Sequence, residues 1–361
     1  MREGANIPIR NLFHMLAYAF KELRQEEYRR LATEDFDHVH DLLAAILALG
    51  VGKQLKQGLH REYVERADEL VALRGKLDVV STVAARLARR RAIACVYDEL
   101  SEDNALNQVI KATCLLLVRH GEVDESRRAT LRREMLYFSN VADVELSRVR
   151  WDAFRFSRSN QSYRILVSIC QLVVEGMLLT TSEGEHRLAS FIDDQHLHRL
   201  YEKFILNYYD KEHRELRASA PQIPWALDDG EGTLLPTMWS DITLARRDDP
   251  SRVLIIDAKF YGHSTQERYG ARSVHSANLY QIFTYVKNRE AGFGGRPHKV
   301  SGMLLYARTN EEVQPNQSYA MSGNRIDVQT LDLGGEFADI AAQLDGIAGE
   351  HFGQGRGGVT V

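Results

Sequence analysis

The sequence predicts an α+β or α/β fold with a mostly helical N-terminal half, a small β-rich projection and a C-terminal α/β domain. Three observations predict this arrangement. Apolar residues recur at helical spacing in the first two-fifths of the chain, and short apolar segments with glycine turns interrupt them at about residues 59–100. Helices and strands alternate after Leu197. The length of 361 residues is sufficient for two domains.

The N-terminal half is predicted to contain helices on both sides of the projection. Their apolar stripes lie at Leu12–Phe20, Val39–Val51, Asn104–His120 and Arg164–Leu179. Short strands in the projection are predicted at Glu62–Val64, Leu70–Leu73, Leu77–Val80 and Ile93–Tyr97, with turns at Gly58 and Gly75. A polar loop at residues 182–185 indicates a boundary, so that the first predicted region covers residues 1–185.

The C-terminal domain is predicted over residues 186–350. Its elements, in chain order, are a helix at Leu197–Tyr209, strands at Pro236–Ala245 and Arg252–Lys259, a helix at Ala277–Arg289 and a strand at Ser301–Tyr306. Residues 351–361 are glycine-rich and are predicted to form a flexible tail.

The composition, with 44% hydrophobic and 27% charged residues, is that of an ordinary globular protein. We find no membrane-spanning run and no secretory signal, so we expect a cytoplasmic location and no membrane partner. Three widely spaced cysteines indicate buried thiols rather than a disulfide framework or a zinc site. The net charge of −4 argues against a protein that coats nucleic acid through bulk charge, but it is compatible with a nuclease that a partner delivers to DNA.

Two acidic residues are predicted to face each other across a hairpin. The residues from Arg246 to Ser251 have the composition of a turn. If the turn is centred on Asp249, antiparallel pairing places Asp241 opposite Asp257, because both are equally far from the centre. Directly opposed residues have Cβ atoms about 4.5–5.5 Å apart.

Two like charges in this position destabilise a sheet. At about 4 Å and an effective dielectric constant of about 20, the repulsion is about 4 kcal/mol. A divalent cation converts the repulsion into attraction, and carboxylate oxygens are the ligands that Mg²⁺ prefers. The pattern therefore predicts a magnesium site at Asp241 and Asp257.

Other polar residues complete a predicted site for phosphodiester hydrolysis. Lys259 projects to the same face as Asp257, because strand side chains alternate, and the apolar run Val253–Ile256 predicts a strand covered on both faces. A lysine beside a metal ion can orient water and stabilise negative charge in the transition state. Glu202 and Gln281, on the flanking helices, are further catalytic candidates, and each is equally compatible with an exposed polar helix face.

These motifs resemble the PD-(D/E)xK nuclease superfamily, and the chain as a whole resembles the McrC family of nuclease subunits from McrBC modified-cytosine restriction systems. The segments that carry the resemblance are IPIRNLFHMLAYA (7–19), LRGKL (73–77), DELSEDNALN (98–107), LLPTMWSDIT (234–243), IDAKFY (256–261) and HSANLYQ (275–281). The resemblance implies a restriction-endonuclease-like α/β/α domain with a mixed sheet. It also implies that Asp241 and Asp257 bind Mg²⁺ and that Lys259 completes the site.

The resemblance implies partners as well. In this family an McrB-like AAA+ GTPase forms hexameric rings and recognises methylated or hydroxymethylated cytosine in double-stranded DNA. The nuclease subunit docks on the ring and stimulates its GTP hydrolysis. The projection at 59–100 resembles the part that enters the ring, which makes residues 1–185 a docking region with Arg74 and Lys76 as candidate contacts. The chain has no G-x-x-x-x-G-K-[S/T] phosphate-binding loop, so GTP is expected on the partner.

Two other functions stay open. A stand-alone PD-(D/E)xK repair or recombination nuclease would have the same site. The chain lacks a strong basic face and has a long N-terminal half, and both features disfavour this alternative. The other alternative is a module that activates a GTPase without cutting DNA. The opposed carboxylates argue against this alternative, because they are costly without a metal ion.

Overall fold

The computed structural model describes residues 7–158, 160–180, 186–188, 192–261, 265–268 and 271–353. The chain forms two compact units, which we call the sheet unit (Met1–Asp37 and Ile192–Val361) and the helical unit (His38–Phe191). The predicted mixture of helices and strands is confirmed. The N-terminal segment through Asp37 belongs to the sheet unit, however, and not with the rest of residues 1–185.

The secondary structure accounts for most of the described residues. The α-helices are α1 (Ile9–Ala19), α2 (Glu26–Arg29), α3 (Val39–Gln57), α4 (Val79–Leu87), α5 (Ala105–His120), α6 (Glu125–Met135), α7 (Tyr163–Met177), α8 (Asp194–Glu212), α9 (Ser276–Ala291) and α10 (Phe337–Phe352). The strands are β1 (Glu62–Leu70), β2 (Lys76–Leu77), β3 (Ile93–Ser101), β4 (Leu178–Thr180), β5 (His186–Leu188), β6 (Leu216–Ser219), β7 (Gln222–Ile223), β8 (Met238–Trp239), β9 (Ile242–Arg246), β10 (Arg252–Lys259), β11 (Thr265–Arg268), β12 (Ala271–Val274), β13 (Lys299–Ala307), β14 (Gln317–Met321) and β15 (Asn324–Leu331). None of the helices that the structure describes is long and apolar enough to cross a lipid bilayer.

A mixed sheet of six strands lies at the centre of the described part of the sheet unit, in the order β14-β15-β13-β10-β9-β6. The three central strands, β15, β13 and β10, run parallel to one another, and the outer strands are antiparallel to their neighbours. The long apolar runs of β10 and β13 explain their central position, because a strand with both faces covered needs apolar residues on both.

Helices cover both faces of this sheet. Ile255 of β10 shares a buried cluster with Ile282 and Val286 of α9. Side chains alternate along a strand, so Phe260 points to the opposite face, where its ring lies 6.0 Å from that of Tyr201 in α8. The end of β10 is therefore enclosed between α8 and α9.

Buried polar contacts fix α10 to the sheet. His351 Nδ1 lies 3.0 Å from Ser301 Oγ, and His351 Nε2 lies 2.8 Å from Asp327 Oδ2. Burial opposes ionisation of Asp327, but His351 and Arg325 outweigh it and lower the pKa of this carboxyl to about 2. The predicted tail is thus wrong for residues 351 and 352, which end α10, and residues 354–361 lie outside the described residues.

Helix α1 is held by the far end of the chain. Asn11 Nδ2 donates hydrogen bonds to the carbonyl oxygens of Leu333 (2.8 Å) and Gly335 (2.7 Å). The ring of His14 stacks on Phe337, with 4.4 Å between the ring centroids. These contacts explain why the first residues belong to the sheet unit although the helical unit separates them from it in sequence.

The helical unit has a core of α3, α5, α6 and α7, which pack on one another. Its cysteines, Cys95, Cys114 and Cys170, are free and buried, as predicted. The projection consists of the sheet β1-β3-β2 with α4 beside β3. The projection that was predicted at 59–100 is therefore present, but its elements differ in detail.

Two strands predicted in the projection are wrong. The segment Leu70–Leu73 contributes only its first residue to β1, and Leu77–Val80 contributes only Leu77 to β2. Asp78 is the N-cap of α4: its side chain accepts a hydrogen bond from the backbone N of Ser81 (3.1 Å), and the helix begins at Val79. A good helix cap thus outweighs the strand preference of two adjacent valines.

Gly302 in β13 allows α9 to lie close to the sheet. A Cβ atom at this position would lie 2.7 Å from Val286 Cγ2, 2.8 Å from Ile282 Cγ1 and 3.0 Å from Ile326 Cδ1. We predict that Gly302→Val lowers the free energy of unfolding by about 1–3 kcal/mol, because overpacking displaces buried side chains. Urea unfolding measures this change. Gly346→Ala in α10, where a Cβ meets open space, is the control and should be neutral or slightly stabilising. Unchanged stability of the valine variant would contradict the close packing.

Candidate active site

The hairpin of β9 and β10 has the register that the sequence predicts. The strands pair antiparallel, and the ladder ends with Ile242 opposite Ile256. Asp241 lies just beyond the end of this ladder, and its carboxyl interacts directly with that of Asp257. The predicted juxtaposition of these two residues is therefore confirmed.

The strand predicted at Pro236–Ala245 is shorter than expected. It consists of β8 and β9, which are separated at Ser240 and Asp241. The backbone N of Ser240 donates to the carbonyl of Pro221 (3.2 Å), which takes the chain out of the ladder. Asp241 is thereby released from strand pairing, and its Oδ2 accepts a hydrogen bond from the backbone N of Ala258 (2.9 Å).

Asp257 and Lys259 lie on the same face at the end of β10. Their side chains form an ion pair, with 2.8 Å between Lys259 Nζ and Asp257 Oδ2. Asp257 is completely buried, and Lys259 is 6% exposed. A buried charge is stable only with charged or polar partners, and this pair provides one partner for each residue.

Gln281 joins this group from α9. Its Oε1 accepts a long hydrogen bond of 3.5 Å from Lys259 Nζ, and its Nε2 donates to the hydroxyl of Tyr285 at 2.9 Å. Asn278, one turn earlier, donates to the buried hydroxyl of Tyr306 (2.9 Å). The helix therefore presents a set of polar side chains to the end of the sheet.

Glu202 approaches from α8. Its charge acts on Asp241, and its Oε1 lies 2.9 Å from Nδ1 of His198, one turn earlier on the same helix. The sequence reasoning missed His198, although its spacing of four residues from Glu202 places both side chains on one helix face.

Arg74 and Lys76, the candidate partner contacts, lie in the projection of the helical unit. The guanidinium of Arg74 lies 3.9 Å above the ring of Tyr97, and its Nη1 lies 3.4 Å from Glu99 Oε1. Lys76 is exposed on β2. Arg74 is therefore held in place by neighbours.

Both central carboxyls have raised pKa values. Burial, followed by the charges of Asp257 and Glu202, raises the pKa of Asp241 to about 8. Burial also raises the pKa of Asp257, although Lys259 acts in the opposite direction. Burial alone would lower the pKa of Lys259, but the two aspartates outweigh it and raise the pKa of the ammonium group. Lys259 is therefore charged at neutral pH.

The residues present fit a magnesium ion. Both carboxyl oxygens of Asp257 are buried, and this carboxyl interacts with the ammonium of Lys259 and with the carboxyl of Asp241. A cation between the two carboxyls would remove the repulsion that, after burial, raises the pKa of Asp241. Within the described ranges, no three His, Cys, Asp or Glu side chains are grouped as a metal site. Mg²⁺ needs only one or two carboxylates, however, because water and substrate phosphate oxygens complete its shell. Asp241 and Asp257 are the residues that would hold it.

The chain is similar to restriction proteins over most of its length. A family model described as "McrBC 5-methylcytosine restriction system component" matches residues 2–307. The Type IV methyl-directed restriction enzyme EcoKMcrBC of Escherichia coli (strain K12) is 24% identical over 350 residues, or 96% of this chain and 98% of that protein.

One solved structure shows a similar fold, and a second matches over a smaller part of the chain. A chain of the refined half-complex from the tetradecameric assembly of Thermococcus gammatolerans McrB AAA+ hexamers with bound McrC matches with a TM-score of 0.53 and 18% identity, over 94% of this chain and 76% of that one. A chain of the cryo-EM structure of the Thermococcus gammatolerans McrBC complex matches with a TM-score of 0.41 and 22% identity, over 57% of this chain and 59% of that one.

We predict that Asp241→Asn stabilises the metal-free protein and that the gain grows with pH. A carboxyl whose pKa is raised on folding lowers stability once the pH exceeds its unfolded value of about 4, and the loss increases until the pH passes its folded value. For Asp241 this window ends at about 8. Asparagine cannot ionise, so folding no longer requires proton uptake at this position, and Tm should rise by a few degrees, since 1 kcal/mol corresponds to about 2–4 °C in domains of about 150–250 residues.

Thermal melts in EDTA at about pH 5 and about pH 9 measure this effect. Excess Mg²⁺ should raise Tm of the wild type and leave the variant unchanged. Asp228→Asn, which alters an exposed aspartate, is the matched control and should follow the wild type. A lower Tm of Asp241→Asn at both pH values would contradict the prediction.

Proposed function

The chain belongs to the family of McrBC 5-methylcytosine restriction system components, and from this premise we propose that it is the DNA-cleaving subunit of a GTP-dependent, modification-dependent restriction complex. The single observation that carries the proposal is the group formed by the half-buried Asp241 and the buried Asp257 and Lys259 at the end of β10. In this proposal the sheet unit is a restriction-endonuclease-like PD-(D/E)xK domain that hydrolyses phosphodiester bonds.

Each residue of the group has a role that follows from its surroundings. Asp241 and Asp257 would hold Mg²⁺, which when bound neutralises phosphate charge and activates water. The ammonium of Lys259, fixed by Asp257, stabilises negative charge that develops on the phosphate oxygens. Gln281 limits the positions that this ammonium can take, and Glu202 adds a further acidic group at the edge of the site.

We propose that the helical unit binds an McrB-like AAA+ GTPase hexamer and stimulates its GTP hydrolysis. The solved relative is described as McrC bound to McrB AAA+ hexamers, and this chain has no phosphate-binding loop of its own. The projection exposes an unusual number of large apolar side chains, and such surfaces mark protein interfaces. They are Tyr63, Val71, Leu73, Leu77, Val79, Val80, Val83, Leu87 and Leu100. Arg74 and Lys76 are the candidate polar contacts.

The substrate in this proposal is double-stranded DNA that contains modified cytosine. Recognition of the base is assigned to the partner, since a net charge of −4 gives this chain little general affinity for DNA. The division of labour is therefore that the partner selects the DNA and uses GTP, and this chain cuts.

We predict that Asp257→Ala or Lys259→Ala abolishes cleavage of methylated DNA in the presence of the partner, Mg²⁺ and GTP. Each change removes one member of the charged group and leaves the projection intact, so stimulation of GTP hydrolysis should persist. Plasmid cleavage and phosphate release are measured on the same samples. Asp228→Ala and Lys299→Ala, which alter exposed residues of the same charge, are the controls and should cut normally. Full cleavage by either active-site variant would remove the proposed function.

We also predict that the purified chain alone neither hydrolyses GTP nor distinguishes methylated from unmethylated DNA. Both properties are assigned to the partner, because this chain has no phosphate-binding loop. GTP turnover and binding to paired oligonucleotides with and without 5-methylcytosine measure them. Turnover of GTP by the chain alone would contradict this division of labour.

A further inference from the structure

His198 and Glu202 form a polar pair on α8, and the mechanism above gives the histidine no role. Nδ1 of His198 lies 2.9 Å from Oε1 of Glu202, and the two side chains are 23% and 30% exposed. Both are therefore open to a substrate, unlike the buried Asp257. The structure gives Nε2 of His198 no partner among the described residues.

The imidazole lies beside the end of β10. Burial raises the pKa of Asp257, and among the charges that oppose this rise are first Lys259 and then His198, so the ring is within electrostatic range of the carboxylate. On its other side, the ring centroid of His198 lies 6.1 Å from that of Tyr261, which follows Lys259 by two residues. His198 thus borders the group to which phosphate hydrolysis is assigned.

Hydrolysis of a phosphodiester needs a proton at the leaving oxygen. The departing sugar oxygen is a strong base, and a positioned acid that protonates it accelerates such a step by about 10²–10⁴. Lys259 is committed to Asp257 and Gln281, and the two aspartates are the cation ligands. The His198–Glu202 pair borders the site and is assigned neither to the cation nor to Lys259.

We propose that His198 is the general acid of the cleavage step and that Glu202 is its positioning residue; this inference rests on the proposed function. The acid is the imidazolium form of His198: Glu202 accepts its Nδ1–H, and Nε2, on the far side of the ring from Glu202, carries the second proton. Water oxygen forms the new bond to phosphorus while the bond from phosphorus to the leaving oxygen breaks, and its electron pair takes the Nε2 proton. Water loses its own proton to solvent, solvent reprotonates His198, and the products are a phosphate monoester and a free hydroxyl.

The same pair would also be present if it only stabilised α8. Ion pairs at this spacing are common on helix surfaces and contribute little. The two roles differ in one respect: a general acid becomes unnecessary when the leaving group no longer needs a proton. A bridging phosphorothiolate, in which sulfur replaces the leaving oxygen, provides such a group because thiolates are weak bases.

The experiment uses the full chain with its partner GTPase, Mg²⁺ and GTP, on a duplex that contains 5-methylcytosine. The cut position is mapped first, and one bridging sulfur is then placed there, on the 3′ or the 5′ side in separate duplexes. Single-turnover rates are compared for the wild type, His198→Gln and Glu202→Gln. His196→Gln is the matched control, since this neighbouring histidine of α8 pairs with Asp193 at the start of the helix.

We expect His198→Gln to slow cleavage of the normal duplex about 10²–10⁴-fold and cleavage of one sulfur duplex less than about tenfold. Glu202→Gln should show a smaller loss with the same rescue, and His196→Gln should cut both at the wild-type rate. Equal slowing on oxygen and sulfur, or no slowing, would overturn the role of His198. If the wild type itself cuts no duplex, the proposed function fails instead, so the two failures are distinguishable.

Discussion

The enforced proximity of Asp241 and Asp257 is the constraint on which the polar arrangement of the sheet unit depends. The hairpin register brings the two residues together, the backbone N of Ala258 holds the Asp241 carboxyl, and burial of β10 removes the water that would screen their charges. Lys259, on the same strand as Asp257, forms an ion pair with it. Gln281 of α9 accepts a hydrogen bond from the same ammonium group and restrains it. The third carboxylate, Glu202, is paired with His198 on the same helix.

Features set by neighbours in sequence could be predicted. The turn between β9 and β10 determines which residues oppose each other, so the pairing of Asp241 with Asp257 follows from counting. Strand alternation places Lys259 beside Asp257 for the same reason. The error at Leu77–Val80 is instructive, because Val79 and Val80 favour a strand but are exposed in a helix. These two side chains are not part of a hydrophobic core. The strand prediction was wrong because it assumed that apolar residues are buried.

Features set by distant residues could not be predicted. The apolar stripe of α1 shows that one face is buried but not which surface buries it, and its partner follows the helical unit in the chain. His198 presents the same difficulty. In the sequence, a histidine one turn before a glutamate looks like any surface ion pair. Only the packing of α8 beside β10 shows that His198 lies near the candidate active site. Gln281 was left undecided for the same reason, and the structure places it against Lys259.

Helix α1 is synthesised long before the residues near Leu333 that pack against it. Asn11 bonds to Leu333, which is 322 positions later. At about 5–20 residues per second, synthesis needs about 16–64 s to supply that partner. The helical unit is continuous from His38 to Phe191, so its synthesis ends much earlier. It can fold before the residues that contact α1 have been synthesised. The sheet unit can therefore be completed only after the whole helical unit has been synthesised.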